Sequence, residues 1–585
     1  MKFANIFKST VMAIRNSLKR FPITILISTS LVVLLITLIE KGSTFTDTTR
    51  DILERASLIL ALGIPLSVCV NLIFERRGEK NRTQIIFGHL IGAVFLIAYY
   101  FLFLSEINWI SMTRYVGISI FFYLAFAFIP WIGKKDGYET YMIDVVSSFI
   151  LTMIYSLVLF IGIVIILFTI NQLFNVDIPD NFVLYTFIII GGIFAPSNFL
   201  ARIPLVKEDT YKKDYPKALK ILLLYIVIPL ITVYSIILYA YFLKIIITRD
   251  WPQGLVSHLV LWYSIVSVAV IYFITPILKD NKWAEKFKKF FPKFIIPILI
   301  MMFISMGIRI SAYGLTENRY YGIVMGLWVT GIMLYFSFKK KQKNIIIPVS
   351  LAILTLVSVF GPLSSFSVSK FSQNKRLESI LKRNQMLEGN KIIAKSNIPK
   401  EDKEEISMIL SYFDNKHSLQ DVKILDEGFK LTDKDMETVF GFPFTEKNIF
   451  DRKYLHYYTE YDLASIIDVK DYDYIINSNV LLNGERNIED LTIFFQENGV
   501  FKILKEDLLL YEKDLGDYAL TILGDYVNRS DEFRNILDPE DAILIDENDK
   551  VGVKFIISSI SGQYDHINNQ YNIDYIECFI LIKIK

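Results

Sequence analysis

The most constraining feature of the sequence is the length of its uninterrupted apolar runs. From Phe21 to Phe360 they recur at about 20 residues each, which is the length that carries an α-helix across roughly 30 Å of hydrocarbon. A core helix in a soluble domain is shorter and broken by charge. Within a bilayer every backbone polar group must be satisfied internally, so such a chain is confined to helical spans. Eleven spans are predicted, over 21–39, 56–74, 85–104, 114–132, 141–170, 182–200, 219–247, 256–278, 294–312, 320–338 and 345–363. The fifth is long enough to tilt or protrude.

Charge separates the chain into two parts. Residues 364–585 carry 27 Lys and Arg against 41 Asp and Glu, whereas the whole chain has 62 against 60. The net charge of +2 therefore hides a basic apolar part and an acidic polar part, which marks a domain boundary. The basic residues also alternate. Lys2, Lys8, Arg15, Lys19 and Arg20 precede the first span. Arg76, Arg77, Lys80 and Arg82, then Lys134 and Lys135, then Lys207, Lys212, Lys213 and Lys217, then Lys282, Lys286, Lys288 and Lys289, then Lys339, Lys340, Lys341 and Lys343 fill every second connection. The intervening 105–113 and 171–181 hold none. Cytoplasmic connections carry the Lys and Arg excess, so the N-terminus is expected inside. An odd span count then places 364–585 outside. The first apolar run is too long for a cleavable signal and reads as a retained anchor.

The expected organisation is a basic N-terminal segment, 1–20, a helical transmembrane domain, 21–363, a membrane-proximal helical region, 364–450, and an extracytoplasmic domain, 451–585. In 1–20, Phe3, Ile6, Phe7, Val11, Ile14 and Leu18 recur at helical spacing, which fits an amphipathic helix on an anionic leaflet. A plain basic flank of the first span accounts for the charges equally well. After Gly361-Pro362, residues 368–389 read as a polar helix. Pro399 with Glu401, Asp402, Glu404 and Glu405 opens another, whose apolar face is Ile406, Ile409, Leu410 and Phe413. Shorter helical stretches are expected near 418–425 and 432–441. Beyond 452 the period falls to that of strands, over 454–458, 474–482, 491–496, 500–504, 542–545, 551–560 and 575–584, with a turn at Glu497-Asn498-Gly499 and a helix over 514–528. The fold class is therefore a polytopic helical bundle followed by an α+β domain with an antiparallel sheet.

Polar groups at membrane depth are functional candidates. Asn71, Glu75, His89 and Asp144 lie near cytoplasmic ends, where an ordinary interfacial role is the plainer reading. Pro65 and the stretch from Gly191-Gly192 to Pro196 can break their helices, which lines pathways in some membrane proteins and is commonplace in others. The outer end of the ninth span is more specific. Arg309 is followed by Tyr313, Thr316, Glu317, Arg319 and Tyr320. A carboxylate between two guanidiniums makes Glu317 the expected partner of Arg309. The cluster fits either a polar site for an ion, a headgroup or a substrate, or a structural clasp between the ninth and tenth helices. Two cysteines, Cys69 and Cys578, form no disulfide framework. Asp546-Glu547-Asn548-Asp549 lacks calcium-loop spacing and reads as a hairpin turn. The five histidines show no ligand spacing, and no nucleotide or nucleophile motif is present. No catalytic residue, metal or cofactor is assigned, and the basic residues are accounted for by topology, which leaves no case for nucleic acid.

The string R-I-S-A-Y-G-L-T-E-N-R-Y-Y from Arg309 resembles the signature of the bacterial membrane family called domain of unknown function 4153. The stretch G-P-L-S-S-F-S-V-S-K-F-S-Q-N-K-R-L from Gly361 to Leu377 is similar to that family's pattern after its last span. The helix around Glu404–Phe413 and V-K-D-Y-D-Y at 469–474 fit members with a C-terminal extension. The resemblance implies a polytopic bacterial membrane protein and supplies no catalytic residues. The expected function is a transporter-like or envelope-associated component that handles a small or lipid-like ligand, with the bilayer, an envelope lipid, a small molecule or a protein as partners. The alternative is a sensor or scaffold whose outer domain binds a ligand or partner.

Overall fold

The computed structural model describes residues 15–585 apart from 79–80, 135–136, 175–178, 180, 206–214, 250–254, 340, 390, 427, 446–454, 460–466, 482–484, 497–498, 507, 529–535 and 566–569. The chain divides into two compact units, Met1–Thr445 and Glu446–Lys585. Of the expected N-terminal amphipathic helix, 1–20, residues 15–20 are helical, while residues 1–14 and the turn residues Glu497 and Asn498 lie outside the described residues.

The first unit is helical. Its apolar helices are α1 (Pro22–Lys41), α2 (Asp47–Arg77), α3 (Arg82–Phe103), α4 (Trp109–Phe128), α5 (Tyr138–Phe174), α6 (Asn181–Ile189) and α7 (Ala195–Arg202). There follow α8 (Lys217–Ile221), α9 (Ile228–Thr248), α10 (Leu255–Ile274), α11 (Lys282–Phe294), α12 (Ile296–Tyr313), α13 (Glu317–Phe338) and α14 (Ile346–Val359). Single π-helical turns, Ile190–Phe194 and Leu222–Val227, join α6 to α7 and α8 to α9 into continuous spans. Among the described residues ten helices are long and apolar enough to cross a membrane, so the chain is a multi-pass membrane protein. Side-chain caps fix several starts: Thr46 accepts from the Thr49 amide and Asn108 forms a capping box with Ser111.

Two elements differ from the sequence reading. The basic stretch after the eighth span is not a loop but the helix α11. Asn281 caps it, Ala284, Phe287 and Phe291 face the interior, Lys282, Lys286 and Lys289 are exposed, and Lys288 is half-buried and donates to Thr275 at 3.3 Å. The eleventh expected span, 345–363, shortens to the 14 residues of α14, because Gly361 takes a positive φ of 83° and the chain turns out of the helix. Its two ends nevertheless reach opposite ends of the bundle. Ile345 and Ile347 pack with Trp131, Tyr138 and Tyr141 at the start of α5. Phe360 stacks edge-on against Phe103 at the end of α3, 5.2 Å between ring centroids.

On the end of the bundle formed by α3, α12 and α13 sit α15 (Ser365–Arg383), the short antiparallel pair β1 (Leu387–Glu388) and β2 (Lys391–Ile392), α16 (Lys400–Lys416) and α17 (Asp433–Phe440). Leu377, Ile380, Leu381, Ile406, Leu410, Phe413, Met436 and Phe440 form their shared core, each contributed at helical spacing.

Among its described residues the second unit holds two sheets and one α-helix, α18 (Gly516–Asn528). The larger sheet comprises β3 (Leu455–Thr459), β4 (Tyr474–Asn477), β9 (Ile536–Leu537), β10 (Ile543–Glu547), β11 (Val551–Asp565) and β12 (Gln570–Ile584), ordered β4-β12-β11-β3-β9 with β10 also on β11. All pairs are antiparallel save β3 with β9. The smaller sheet is the meander β5 (Arg486–Ile488), β6 (Leu491–Phe495), β7 (Val500–Lys505) and β8 (Leu508–Asp514). Phe501, Ile503, Phe555, Ile557, Cys578 and Ile580 fill the core between them. The acidic turn after β10 closes as a hairpin, with the Asn548 carboxamide oxygen accepting from the Lys550 and Val551 amides.

Candidate functional site at the turn between two spans

The turn from α12 to α13 is three residues long, and its backbone is dictated by Gly314. That glycine has φ 68°, and a Cβ there would lie 2.8 Å from Nε2 of Gln373. Only glycine permits both the left-handed backbone and this approach of α15. Three groups of α15 grip the turn. Ser372 accepts from the Leu315 amide at 3.0 Å, Gln373 donates to the carbonyls of Tyr313 and Leu315 at 3.4 Å each, and Arg376 donates to the Ala312 carbonyl. Thr316 is the extended residue before α13 and makes no side-chain cap. Tyr320 is buried and its hydroxyl reaches the Leu363 carbonyl. Tyr321 meets Ser365 at 2.9 Å.

Glu317 does not pair with Arg309. Its side chain is buried and turns toward α16, where Oε1 accepts from the Tyr412 hydroxyl at 2.7 Å and lies 2.7 Å from Nε2 of His417. The Tyr412 hydroxyl is 2.9 Å from the same imidazole nitrogen. Burial, and then the hydrogen bond to the Glu317 carboxylate, push the Tyr412 phenol well above its usual range, so it stays a proton donor. The physical reason for the changed pairing is position. Glu317 opens α13, where the first-turn amides favour a carboxylate, and the closing helix α16 supplies two donors that exclude water. The site continues into the bundle: the His417 ring lies edge-on to Phe366, 6.5 Å away, and Arg114 of α4 sits 5.6 Å over the Phe366 ring. Lys416 lies 4.3 Å over Trp109 at the start of α4.

The guanidiniums gather on the other side of the turn. Arg319 donates to the Tyr313 and Gly314 carbonyls at 3.1 and 2.7 Å and covers the Tyr313 ring at 5.5 Å. Arg309 is within electrostatic reach of Arg319. Among the described residues Arg309 has neither a hydrogen bond nor an ion pair. Burial, then the charges of Arg319 and Arg383, lower the Arg376 guanidinium from its ordinary range, though it remains charged. Glu405 pairs with Arg376 and Arg383, and Asp402 with Arg383. Arg376 and Arg383 therefore share these two carboxylates, and among the described residues neither carboxylate pairs with Arg309 or Arg319.

Of the residues singled out from sequence, Arg309, Tyr313 and Arg319 thus lie together, Thr316 shapes the turn, and Glu317 and Tyr320 bind α16 and the chain before α15. Tyr412, His417, Gln373, Arg376 and Glu405 were not foreseen. They lie roughly 55 to 110 residues along the chain, and no local spacing announces them.

The family model described as domain of unknown function (DUF4153) matches residues 23–393, more than half of the chain. That range contains the turn, Arg319 and Arg376 but stops before Tyr412 and His417. One relative is the uncharacterized protein PM1469 of Pasteurella multocida (strain Pm70), 22% identical over 325 residues, which are 55% of this chain and 54% of that protein. The match thus spans about half the length of the curated relative. No solved structure matches. The chain belongs to the family described as domain of unknown function, DUF4153.

Proposed function

We propose that the chain is a transporter-like or envelope-associated component of the bacterial plasma membrane that handles an anionic, lipid-like or small ligand at the outer end of its bundle. The observation that carries this reading is the uncompensated pair Arg309 and Arg319 beside Tyr313. Arg319 spends its donors on carbonyls and Arg309 on nothing. Guanidiniums near a bilayer boundary are costly unless an anion meets them, and their planar fork suits phosphate and carboxylate oxygens. A headgroup phosphate reaches that depth from the adjacent leaflet. The alternation of basic connections, with α14 as an eleventh crossing, supports a cytoplasmic N-terminus and an extracytoplasmic C-terminal domain.

The test is lipid retention. The full chain, extracted in mild detergent and exchanged into vesicles of phosphatidylcholine with phosphatidylglycerol, is expected to retain phosphatidylglycerol selectively by native mass spectrometry. Arg309→Gln should lose that selectivity. Equal retention by the variant, or no preference in the parent chain, refutes the reading.

A second reading, a membrane sensor or scaffold, is favoured by one observation: Glu317 ties the first turn of a spanning helix to α16. Movement of the outer helices would then be felt in the membrane. Crosslinking α13 to α16 would silence a sensor and leave lipid retention intact.

A further inference from the structure

We propose a second site, distinct from the guanidinium cluster, that binds the carboxylate of a small solute inside the first half of the bundle. It lies in a polar layer between α1, α2, α5 and α7. Contacts fix the register of these helices. Ser148 of α5 meets the Arg202 carbonyl of α7 at 3.5 Å, and Phe149 packs edge-on to Phe199. These helices are antiparallel, so Thr152 comes level with Asn198 and Ser156 with the π-helical turn. Arg20, just before α1, donates to the Ile203 carbonyl at 2.6 Å and Ser28 of α1 to the Gly192 carbonyl, which brings Thr24 level with Asn198. On α2, Glu75 pairs with Arg20 at 2.7 Å and Ser67 with Thr24 at 2.8 Å, and Asn71 lies between them. The layer is about 6 Å, or one helical turn, inside the Arg20–Glu75 pair.

Four polar groups in this layer have no partner. The amide nitrogens of Asn71 and Asn198 and the hydroxyls of Thr152 and Ser156 make no hydrogen bond, yet Asn198 is fully buried and the others are more than nine-tenths buried. Buried polar groups without partners are uncommon, and four at neighbouring levels point to a water, an ion or a ligand between them. Asn198 identifies the kind. Its Oδ1 accepts from Arg202 Nε at 2.6 Å, and a guanidinium can only donate, so the free end of Asn198 is the N–H₂ group. The layer therefore offers donors. The Arg202 guanidinium lies beside it, 5.3 Å over the Tyr155 ring. Glu75 is engaged with Arg20, and Asp144 lies one turn nearer the helix end than Ser148. Amide donors, hydroxyls and one guanidinium in a low-dielectric interior fit an oxyanion.

The backbone at this place is irregular. The π-turn Ile190–Phe194 contains Gly191 and Gly192 and leads into Pro196. A Cβ on Gly192 would collide with Val32 Cγ2, so glycine lets α1 close on the turn. π-turns inside helices concentrate at functional sites. Asn71 and the Gly191–Pro196 break, two weak signals when read apart, are thus sides of one layer.

The experiment is calorimetric titration of the full chain in nanodiscs with sodium acetate, with sodium chloride and sodium phosphate as matched controls. Acetate is expected to bind saturably and more tightly than either control. Asn198→Asp keeps the bond to Arg202 and replaces the donor with a negative acceptor, so acetate affinity should fall at least about tenfold. Thr152→Val, which keeps the shape, should weaken acetate by a smaller factor. No saturable acetate binding, equal binding of chloride or phosphate, or unchanged affinity in both variants would overturn the proposal and leave bound water as the occupant.

Discussion

Replacing Glu317 by alanine should be among the most damaging single changes in the first unit. The carboxylate is 5% exposed and receives two hydrogen bonds of 2.7 Å, from Tyr412 and from His417. Each hydrogen bond to a charged acceptor contributes about 1.5–3 kcal/mol, and removing one partner of a buried pair costs about 3–5 kcal/mol because the other is stranded. Tyr412 and His417 still have each other at 2.9 Å, which recovers part of the loss. The expected cost is therefore about 3 kcal/mol, near the lower end of that range. Cys69 is buried in α2, so its reactivity toward a thiol fluorophore reports opening of the bundle, once Cys578 is replaced by alanine. SDS titration in mixed micelles then gives the free-energy difference. Glu317→Gln keeps an acceptor without the charge and should cost less than alanine. His417→Ala combined with Glu317→Ala should cost much less than the sum of the two. A Glu317→Ala chain as stable as its parent, or strict additivity with His417→Ala, would refute the triad as a stabilising unit. Coupling with Arg309→Ala instead would restore the pairing expected from sequence.

Other outcomes are equally checkable. Gly314→Ala should destabilise the first unit by about 1–3 kcal/mol, since φ 68° with ψ 177° is a backbone region essentially confined to glycine and an added Cβ also meets Gln373; the same titration reads it. Burial raises the Asp402 carboxyl, but the bonds from Arg383 and Asn384 outweigh it and hold the group below its usual range. A depressed carboxylate stabilises the fold fully above its unfolded value of about 4 and loses that contribution as pH falls through the folded value. Arg383→Gln should therefore flatten the acid limb of a stability–pH profile, whereas an unchanged limb would exclude the pair as its source. In a chain with Cys69 and Cys578 replaced, an impermeant thiol reagent on intact cells should label Asp549→Cys and spare Lys341→Cys; the reverse pattern would invert the proposed topology.

The spans were legible because an apolar run of membrane length admits few alternatives, and ten recur as helices. The strands at Leu491–Phe495 and Val500–Lys505 followed from their alternation of Ile, Phe and polar residues. β8, Leu508–Asp514, was missed because three consecutive leucines and a charged run carry no period of two. α11 hid behind its lysines: charge marked its side of the membrane and concealed that Phe287 and Phe291 share a buried face. At the turn, sequence proximity singled out Arg309, Glu317 and Arg319 but misassigned the partner of Glu317. Charges close in sequence are not thereby paired, and the donors that captured Glu317 come from a helix 95 and 100 residues away.

The shortness of α14 has a consequence for the lipid around it. Fourteen residues rise about 21 Å, against a hydrocarbon thickness of roughly 30 Å. Ile353 and Val357 face outward at 58% and 39% exposure, and in the proposed eleventh crossing this face would lie against acyl chains. A short hydrophobic stretch draws the two leaflets together beside it. Along such a seam a headgroup would travel a shorter apolar path than elsewhere, and the protein would partition toward thinner membranes.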